Sequence, residues 1–412
     1  MAVPGSKSHT IRAVTIGSLA PGESTIHSPL VSADTLSCVD AFRALGATIE
    51  IDSDPWKILG TGGAVAAPSE PIDVGNSGTT IHIAMGAAAL LKSGKATLTG
   101  DEQIQRRPAG ALAKALTGLG ASVISKTGNG CAPFEIYGTL RGGKIAIECL
   151  TSQYLTSLLF ATPLSTGTSE IEVRNLNEAP YVTMTLDWIR RQGVRIDCED
   201  DYSKFWIRGG QSFKPVSRRI PADFSSATFL LAAGALGNND ITCQGLSMRD
   251  TQGDKEVVAF LQGFGARTFH TDSGVRVSAN SLKGYEIDMN ATPDALPMLS
   301  ALACFAEGRT KLVNCPQARV KETDRIAVMA AELAKMGAKV KELKDGIQVD
   351  RSQLSGAEVD SHGDHRVAMT LAIAGTRASG ETIIGNAECI NITYPGFIDA
   401  IKSLGADVTV EN

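Results

Sequence analysis

The sequence predicts an α/β chain of two globular domains, each built from three βαβαββ repeats around buried helices, and three observations carry that expectation. Six glycines, Gly46, Gly120, Gly193, Gly265, Gly337 and Gly405, recur at spacings of 74, 73, 72, 72 and 68 residues. Each follows a helix-like run and precedes small or β-branched residues. A glycine just past a helix takes the left-handed conformation that ends it, so each marks a helix stop before a strand. Self-similarity at one long period means one structural unit copied, here of about 70 residues. Finally, 412 residues exceed one ordinary core, and two domains of roughly 200 residues leave room for three repeats apiece.

Taken in chain order, the runs that close on the glycines are 42–45, 116–119, 189–192, 261–264, 333–336 and 401–404. They read as outer, amphipathic helices, with Arg190, Arg191, Lys335, Lys339 and Lys402 on outward faces. Earlier in each repeat lies a second, more apolar run, beginning near Ser8, Ser77, Thr151, Ser225, Asp294 and Asp364. A helix that is hydrophobic nearly all round is buried inside its domain. The unit therefore reads strand, buried helix, strand, outer helix, two strands. A basic, proline-containing stretch at 214–221 leads into the fourth repeat. It puts the first domain at 4–220 and the second at 221–412 together with residues 1–3.

Hydrophobic residues make up 43% of the chain and aromatics only 5%, the composition of a soluble globular protein with an Ala/Leu/Ile/Val core. A net charge of −5 argues against bulk binding to nucleic acid or anionic membrane, so any affinity for anions has to come from a local cluster. The eight cysteines are scattered with no Cys-x-x-Cys, which in a chain this large reads as reduced thiols. No positive-then-apolar leader is present, and no apolar run approaches the ~18 residues of a membrane span. A cytoplasmic protein is the expectation.

The starts of the apolar helices are unusually polar: Ser6-Lys7-Ser8, Asn76-Ser77-Gly78-Thr79, Thr151-Ser152-Gln153, Asp223-Phe224-Ser225-Ser226, Thr292-Pro293-Asp294 and Asp364-His365-Arg366. Unpaired N–H groups and the positive dipole end make a helix N-terminus an anion site. For any one start, simple N-capping by Ser, Thr, Asp or Asn explains the composition as well. What points further is the company these starts keep, since Lys7, Arg12, Arg107, Lys321, Arg325 and Arg366 lie beside them or on partner helices. Arg supplies a bidentate fork for carboxylate or phosphate, and Lys a point charge. A small substrate with several anionic groups is the physical inference.

The motifs Pro4-Gly5-Ser6-Lys7-Ser8-His9-Thr10-Ile11-Arg12, Gly75-Asn76-Ser77-Gly78-Thr79, Arg107-Pro108, Arg319-Val320-Lys321-Glu322-Thr323-Asp324-Arg325, Asp364-His365-Arg366 and Tyr394-Pro395 resemble the signature set of the 5-enolpyruvylshikimate-3-phosphate synthase family (3-phosphoshikimate 1-carboxyvinyltransferases). They stand in the family's order and span nearly the whole chain. The resemblance implies two globules of three repeats closing on a central cleft. It implies transfer of the enolpyruvyl group of phosphoenolpyruvate to the 5-hydroxyl of shikimate 3-phosphate, with release of phosphate and no metal or organic cofactor. A monomer with these two small-molecule partners, and no nucleic acid or membrane, is expected.

By the same resemblance, Ser8 and Arg12 hold the carboxylate side of shikimate, with Lys7 at the junction of both substrates. Thr151 and Ser152 donate to the phosphate of the shikimate ring, Gln153 lies against that ring, and Tyr181 is close to it. Asn76, Gly78 and Thr79 border the phosphoenolpyruvate pocket, and Arg107, Arg325 and Arg366 bind its carboxylate and phosphate. Asp294 is the expected base near the 5-hydroxyl, Lys321 bridges hydroxyl and phosphate, and Glu322 is the candidate acid for the methylene carbon. The chemistry requires such types: an acid and a base on opposite sides of one carbon, and fixed cations for the departing phosphate.

Four features depart from the family pattern: His82 where an Arg is common, Glu178 where a serine is expected, Ile392 where some members have Lys, and only three residues before Pro4. The resemblance also implies that the herbicide glyphosate competes with phosphoenolpyruvate, and Gly78 leaves it room that an alanine methyl would crowd. Three alternatives stand against this reading. A UDP-N-acetylglucosamine enolpyruvyl transferase typically has Lys-Asn near its start and a cysteine before its Arg-Pro, and neither is present. A nucleic-acid-processing cyclase of related repeats is disfavoured by the net charge and the lack of basic–aromatic interleaving. A non-catalytic binder of small anionic metabolites is disfavoured by Lys7, Asp294, Glu322 and the three arginines together. His362-Gly363-Asp364-His365 supplies too few ligands for a metal, and Arg366 beside it would repel a cation.

Overall fold

All six period-marking glycines adopt the left-handed backbone that the spacing requires, with φ from 82° to 111°. The computed structural model describes residues 1–411. At each glycine the N–H of the following residue donates to the carbonyl five positions back, from Ala47 to Phe42, Ala121 to Leu116, Val194 to Ile189, Ala266 to Leu261, Ala338 to Leu333 and Ala406 to Ile401, at 2.9–3.3 Å. This is the Schellman closure, which satisfies carbonyls that the helix end would otherwise leave bare.

The chain divides into two units, one of Lys7–Ile220 and one of Met1–Ser6 with the chain from Pro221 onward. The Lys7–Ile220 unit contains α1 (Lys7–Leu19), α2 (Ala33–Ala44), α3 (Gly78–Ala88), α4 (Gly110–Gly118), α5 (Ser152–Ala161) and α6 (Ala179–Arg191). The other contains α7 (Phe224–Gly234), α8 (Val257–Phe264), α9 (Leu296–Ala303), α10 (Arg325–Lys335), α11 (His365–Gly375) and α12 (Phe397–Ser403). Odd-numbered helices are buried nearly all round and even-numbered ones are half exposed, so the inner and outer roles fall where the apolar runs predict. Small residues let the inner helices approach: Gly86 of α3 sits so near Ser157 of α5 that no side chain fits there.

Each sheet of the Lys7–Ile220 unit has the same order. A parallel pair comes first, which in the second and third sheets brackets an inner helix because parallel strands need a long crossover, and two antiparallel strands follow. In the first sheet Ser217–Arg219 runs parallel to Pro21–His27, which pairs antiparallel with Trp56–Thr61 and through it with Thr48–Glu50. The second is Ile72–Asp73, Lys95–Thr99, Phe134–Tyr137 and Ser122–Ser125, and the third Gly143–Glu148, Ser169–Arg174, Lys204–Ile207 and Asp197–Cys198. The first repeat thus borrows its opening strand from the far end of its own unit.

The other unit repeats the plan with two departures. Its fifth-repeat sheet, Glu286–Asp288, Arg309–Val313, Gly346–Asp350 and Lys339–Leu343, is complete. Its fourth-repeat sheet has three strands, Asp240–Gln244, Gly274–Ser278 and Arg267–Thr271, and its parallel partner is reduced to an isolated bridge from Ala2 to Gln244. Its sixth repeat pairs Glu358–Asp360 with Ile383–Gly385, extended by an isolated bridge from Ser355 to Ser379. The strand expected after Gly405 is not formed at 406–411, so the βαβαββ reading is corrected to βαβα there. Lys339, expected on an outer helix, opens a strand instead, since Gly337 ends α10 two residues earlier. Each unit has its own apolar core. No described helix is long and apolar enough to cross a membrane.

Candidate active site

In the Lys7–Ile220 unit the polar residues gather at the starts of the inner helices. Lys7 opens α1, and its Nζ pairs with Asp34 Oδ2 at 2.8 Å from the first turn of α2. Arg12, one turn on, is buried and spends its fork inside the unit. Nε and Nη2 donate to Thr185 Oγ1 at 3.1 and 2.9 Å, Nη2 to the Tyr181 carbonyl at 3.1 Å, and Nη1 to the Ser8 carbonyl at 3.0 Å. Burial lowers its pKa to about 10, opposed by the nearby Tyr181. Arg12 therefore fixes α1 against α6, and through those two bonds sets the positions of Ser8 and Tyr181.

Ser77 caps α3 by accepting from the Thr80 N–H, which leaves Asn76 and Thr79 on either side of Gly78. Asn76 Nδ2 donates to Asp101 Oδ2 at 2.6 Å and Gln103 Oε1 at 2.7 Å, and its Oδ1 accepts from Arg107 Nη2 at 3.3 Å. A Cβ built on Gly78 would overlap Arg107 Nη1. The glycine is thus needed for the close approach of that guanidinium. Thr79 Oγ1 accepts from Gln153 Nε2 at 3.2 Å, while Gln153 Oε1 meets His82 Nδ1 at 2.7 Å. His82 therefore holds the amide of Gln153 from behind.

Thr151 caps α5, accepting from the Gln153 N–H. Its hydroxyl also donates to Glu178 Oε2 at 2.9 Å, as do the hydroxyl and N–H of Ser152 at 2.9 and 3.1 Å. The structure brings together around the starts of α3 and α5 every residue of this half of the predicted set except the α1 group of Lys7, Ser8 and Arg12 and the α6 residue Tyr181.

The second cluster, in the unit from Pro221 onward, is ionic. Asp294 lies in a 3-10 turn, Pro293–Ala295, just before α9. Its Oδ1 pairs with Arg325 Nη1 at 2.8 Å and its Oδ2 with Arg366 Nη2 at 2.9 Å, and Lys321 Nζ stands 4.0 Å from Oδ1. Arg325, only 1% exposed, also meets Glu322 Oε2 at 2.6 Å and Asp364 Oδ2 at 2.7 Å. Asp364 is itself the N-cap of α11, accepting from the N–H groups of Arg366 and Val367. Arg366 donates also to Ser225 Oγ at 2.7 Å. Burial pushes the Asp294 carboxyl up, but Arg366, Lys321 and Arg325 more than cancel it and hold the group well below the usual carboxylate range. The three carboxylates raise Arg325 above its ordinary value in spite of its burial.

The sequence reading did not single out Asp34, Thr185, Ser225 or Asp364 as site residues. Asp364 carried the clearest signal, as the acidic partner within the Asp-His-Arg motif. Ser225 stands in the polar start Asp223-Phe224-Ser225-Ser226, whereas Asp34 and Thr185 stand on other helices with nothing local to mark them. Among the described residues no group of three or more His, Cys, Asp or Glu side chains could hold a metal ion. His362 is instead paired with Glu332 at 2.9 Å.

Comparison with known proteins gives a consistent answer. The family model described as EPSP synthase (3-phosphoshikimate 1-carboxyvinyltransferase) matches residues 1–401. A 3-phosphoshikimate 1-carboxyvinyltransferase of Acetivibrio thermocellus is 48% identical over 407 residues, covering 99% of this chain and 96% of the relative. One from Ruminiclostridium cellulolyticum is 45% identical with the same coverage. Among solved structures, an EPSP synthase from Acinetobacter baumannii superposes with a TM-score of 0.82 at 27% identity, covering 100% of this chain and 96% of that one.

Proposed function

This chain belongs to the EPSP synthase (3-phosphoshikimate 1-carboxyvinyltransferase) family, and we propose how its own residues divide the transfer of an enolpyruvyl group from phosphoenolpyruvate to the 5-hydroxyl of shikimate 3-phosphate. Lys7, Ser8, Arg12, Thr151, Ser152, Gln153 and Tyr181 are assigned to the acceptor, Lys7 also touching the donor. Asn76, Gly78, Thr79, Arg107, Arg325 and Arg366 are assigned to phosphoenolpyruvate, and Asp294, Lys321 and Glu322 to the movement of protons. The enzyme acts as a cytoplasmic monomer without metal or organic cofactor.

The reaction adds the 5-hydroxyl oxygen to C2 of phosphoenolpyruvate while a proton arrives at C3. That proton is then returned as phosphate leaves C2 and the double bond re-forms. Glu322, a carboxylate beside Arg325, takes up a proton from solvent, delivers it to C3 and recovers it when the double bond re-forms, while Asp294 accepts from the 5-hydroxyl. The observation that carries this division is the position of Arg325, which donates to Asp294 Oδ1 and Glu322 Oε2 together at 2.8 and 2.6 Å. One guanidinium holds both carboxylates, so acid and base are spaced before substrate arrives. The depressed pKa of Asp294 keeps it ionised at neutral pH and makes it a weak base. It therefore takes the proton only as bonding to C2 acidifies the hydroxyl. Lys321 and Arg366, fixed beside it, stabilise the phosphate's developing charge without reorganisation.

The test follows the C3 proton. In D2O, wild type should wash deuterium into the methylene of phosphoenolpyruvate only when shikimate 3-phosphate is present. Glu322→Gln should slow that exchange by ~10²-fold or more. Exchange by the variant at the wild-type rate would remove Glu322 as the acid, and wild-type exchange indifferent to the acceptor would remove the reaction.

A further inference from the structure

Glu178 has no role in the assignments above, yet it is held more elaborately than a surface acid would be. It is the N-cap of α6, in the left-handed region at φ 59°, and is 1% exposed. A single oxygen, Oε2, accepts three hydrogen bonds, from the hydroxyls of Thr151 and Ser152 and the N–H of Ser152. Those donors stand at the N-terminal end of α5, where the peptide dipoles add their preference for negative charge. Neighbouring bonds fix the backbone: the side-chain amide of Asn177 donates to the Leu150 carbonyl at 3.0 Å, and its N–H to the Cys149 carbonyl at 3.3 Å. The loop that carries Glu178 is thus held by bonds that do not involve its carboxylate.

An oxygen that collects two hydroxyls and a helix N–H has the surroundings of a phosphate oxygen. We propose that Glu178 is a resident anion, its carboxylate filling the position assigned to the acceptor's phosphate; this rests on the assignment of Thr151 and Ser152 above. An arriving phosphate must displace the carboxylate, so each hydrogen bond it gains replaces one the protein already had. An acceptor without the phosphate finds the donors satisfied and suffers nothing for leaving them uncovered. Glu178 is in this sense a specificity-determining residue, which narrows the preference for the phosphorylated over the unphosphorylated ring acid.

The experiment compares dissociation constants of shikimate 3-phosphate and shikimate, by calorimetry, for wild type, Glu178→Ser and Glu178→Gln. Removing the carboxylate frees the donors, so Glu178→Ser should widen the ratio of the two constants by ~10-fold or more, with shikimate binding nearly unchanged. Glu178→Gln keeps the volume, loses the charge and should fall between. A ratio that stays the same or narrows in the folded variants would overturn the proposal and make Glu178 a strut that readies Ser152 for the phosphate. If Glu178→Ser does not fold, Glu178→Gln decides by the same ratio. Wild-type turnover with shikimate 3-phosphate separates the two levels of the argument. Its absence overturns the assignment and this inference with it, whereas normal turnover with an unmoved ratio overturns this inference alone.

Discussion

Arg325 and Gln153 stand at the centres of two clusters that solve the same problem by different means. In the unit from Pro221 onward, Arg325 sits at 1% exposure among Asp294, Glu322 and Asp364, and order comes from matched charge. In the Lys7–Ile220 unit, Gln153 is held by Thr79 and His82, and the starts of α3 and α5 present hydroxyls, amides and N–H groups. Lys7 and Asp34 form a part-buried ion pair there. A buried charge stripped of its partner is costly, whereas a neutral donor at a helix start loses about one hydrogen bond. The first cluster should therefore couple catalysis to folding, and the second should let catalysis fail while the fold survives.

The sharpest way to break that contrast is Arg325→Met. It removes the guanidinium shared by Asp294, Glu322 and Asp364, of which Asp294 keeps Arg366, and a loss of ~3–5 kcal/mol in unfolding free energy is expected, along with activity. Denaturant titration would show it, and a variant as stable as wild type would dissolve the distinction. In the other unit Arg107→Ala and Lys7→Ala should each lower kcat/KM by an amount equivalent to ~2–4 kcal/mol. The unfolding midpoint of Arg107→Ala should move far less than that of Arg325→Met, and that of Lys7→Ala should fall between them, since it leaves the single carboxylate of Asp34 without its lysine. Near-normal kcat/KM in either folded variant would show that its assignment is wrong.

Acid should separate the clusters in the same direction. The folded pKa of Asp294 lies below its unfolded value of about 3.9. Its stabilising contribution is thus whole above that value and is lost as pH falls through the window beneath it. Stability measured from about pH 5 downward should fall more steeply for wild type than for Asp294→Asn; parallel slopes would deny the ionic cluster this role. The smallest effect is expected at Gly78. The sequence reading had a methyl there crowding glyphosate, but the geometry shows that it first meets Arg107 Nη1. Since that atom ends a flexible side chain, Gly78→Ala should fold normally. Phosphoenolpyruvate KM should rise by about tenfold, ~1.4 kcal/mol, with a larger loss for glyphosate. Unchanged constants for both would misplace the pocket.

The architecture was legible because helix stops are chemically loud. A left-handed position demands glycine, and six of them at one period revealed the repeat and its outer helices. The inner helices announced themselves by apolar runs and capping residues such as Ser77, Thr151 and Asp364. What stayed hidden depends on pairing between distant segments. No local pattern says that Ser217–Arg219 lies beside Pro21–His27, or that the sixth repeat lacks its last two strands among the described residues. The site divides the same way. Lys7, Arg107 and Arg325 stand in short motifs, whereas Asp34, Thr185 and Ser225 matter only through the cation each meets across the fold. Glu178 was visible as a departure, but which donors its carboxylate takes required coordinates.

The most direct test of the central claim is phosphate release from phosphoenolpyruvate by the wild-type protein, measured with and without shikimate 3-phosphate. Release that appears only with the acceptor, in step with an enolpyruvyl ether at the 5-oxygen, is the predicted result. Release without the acceptor, or none with it, would contradict the account.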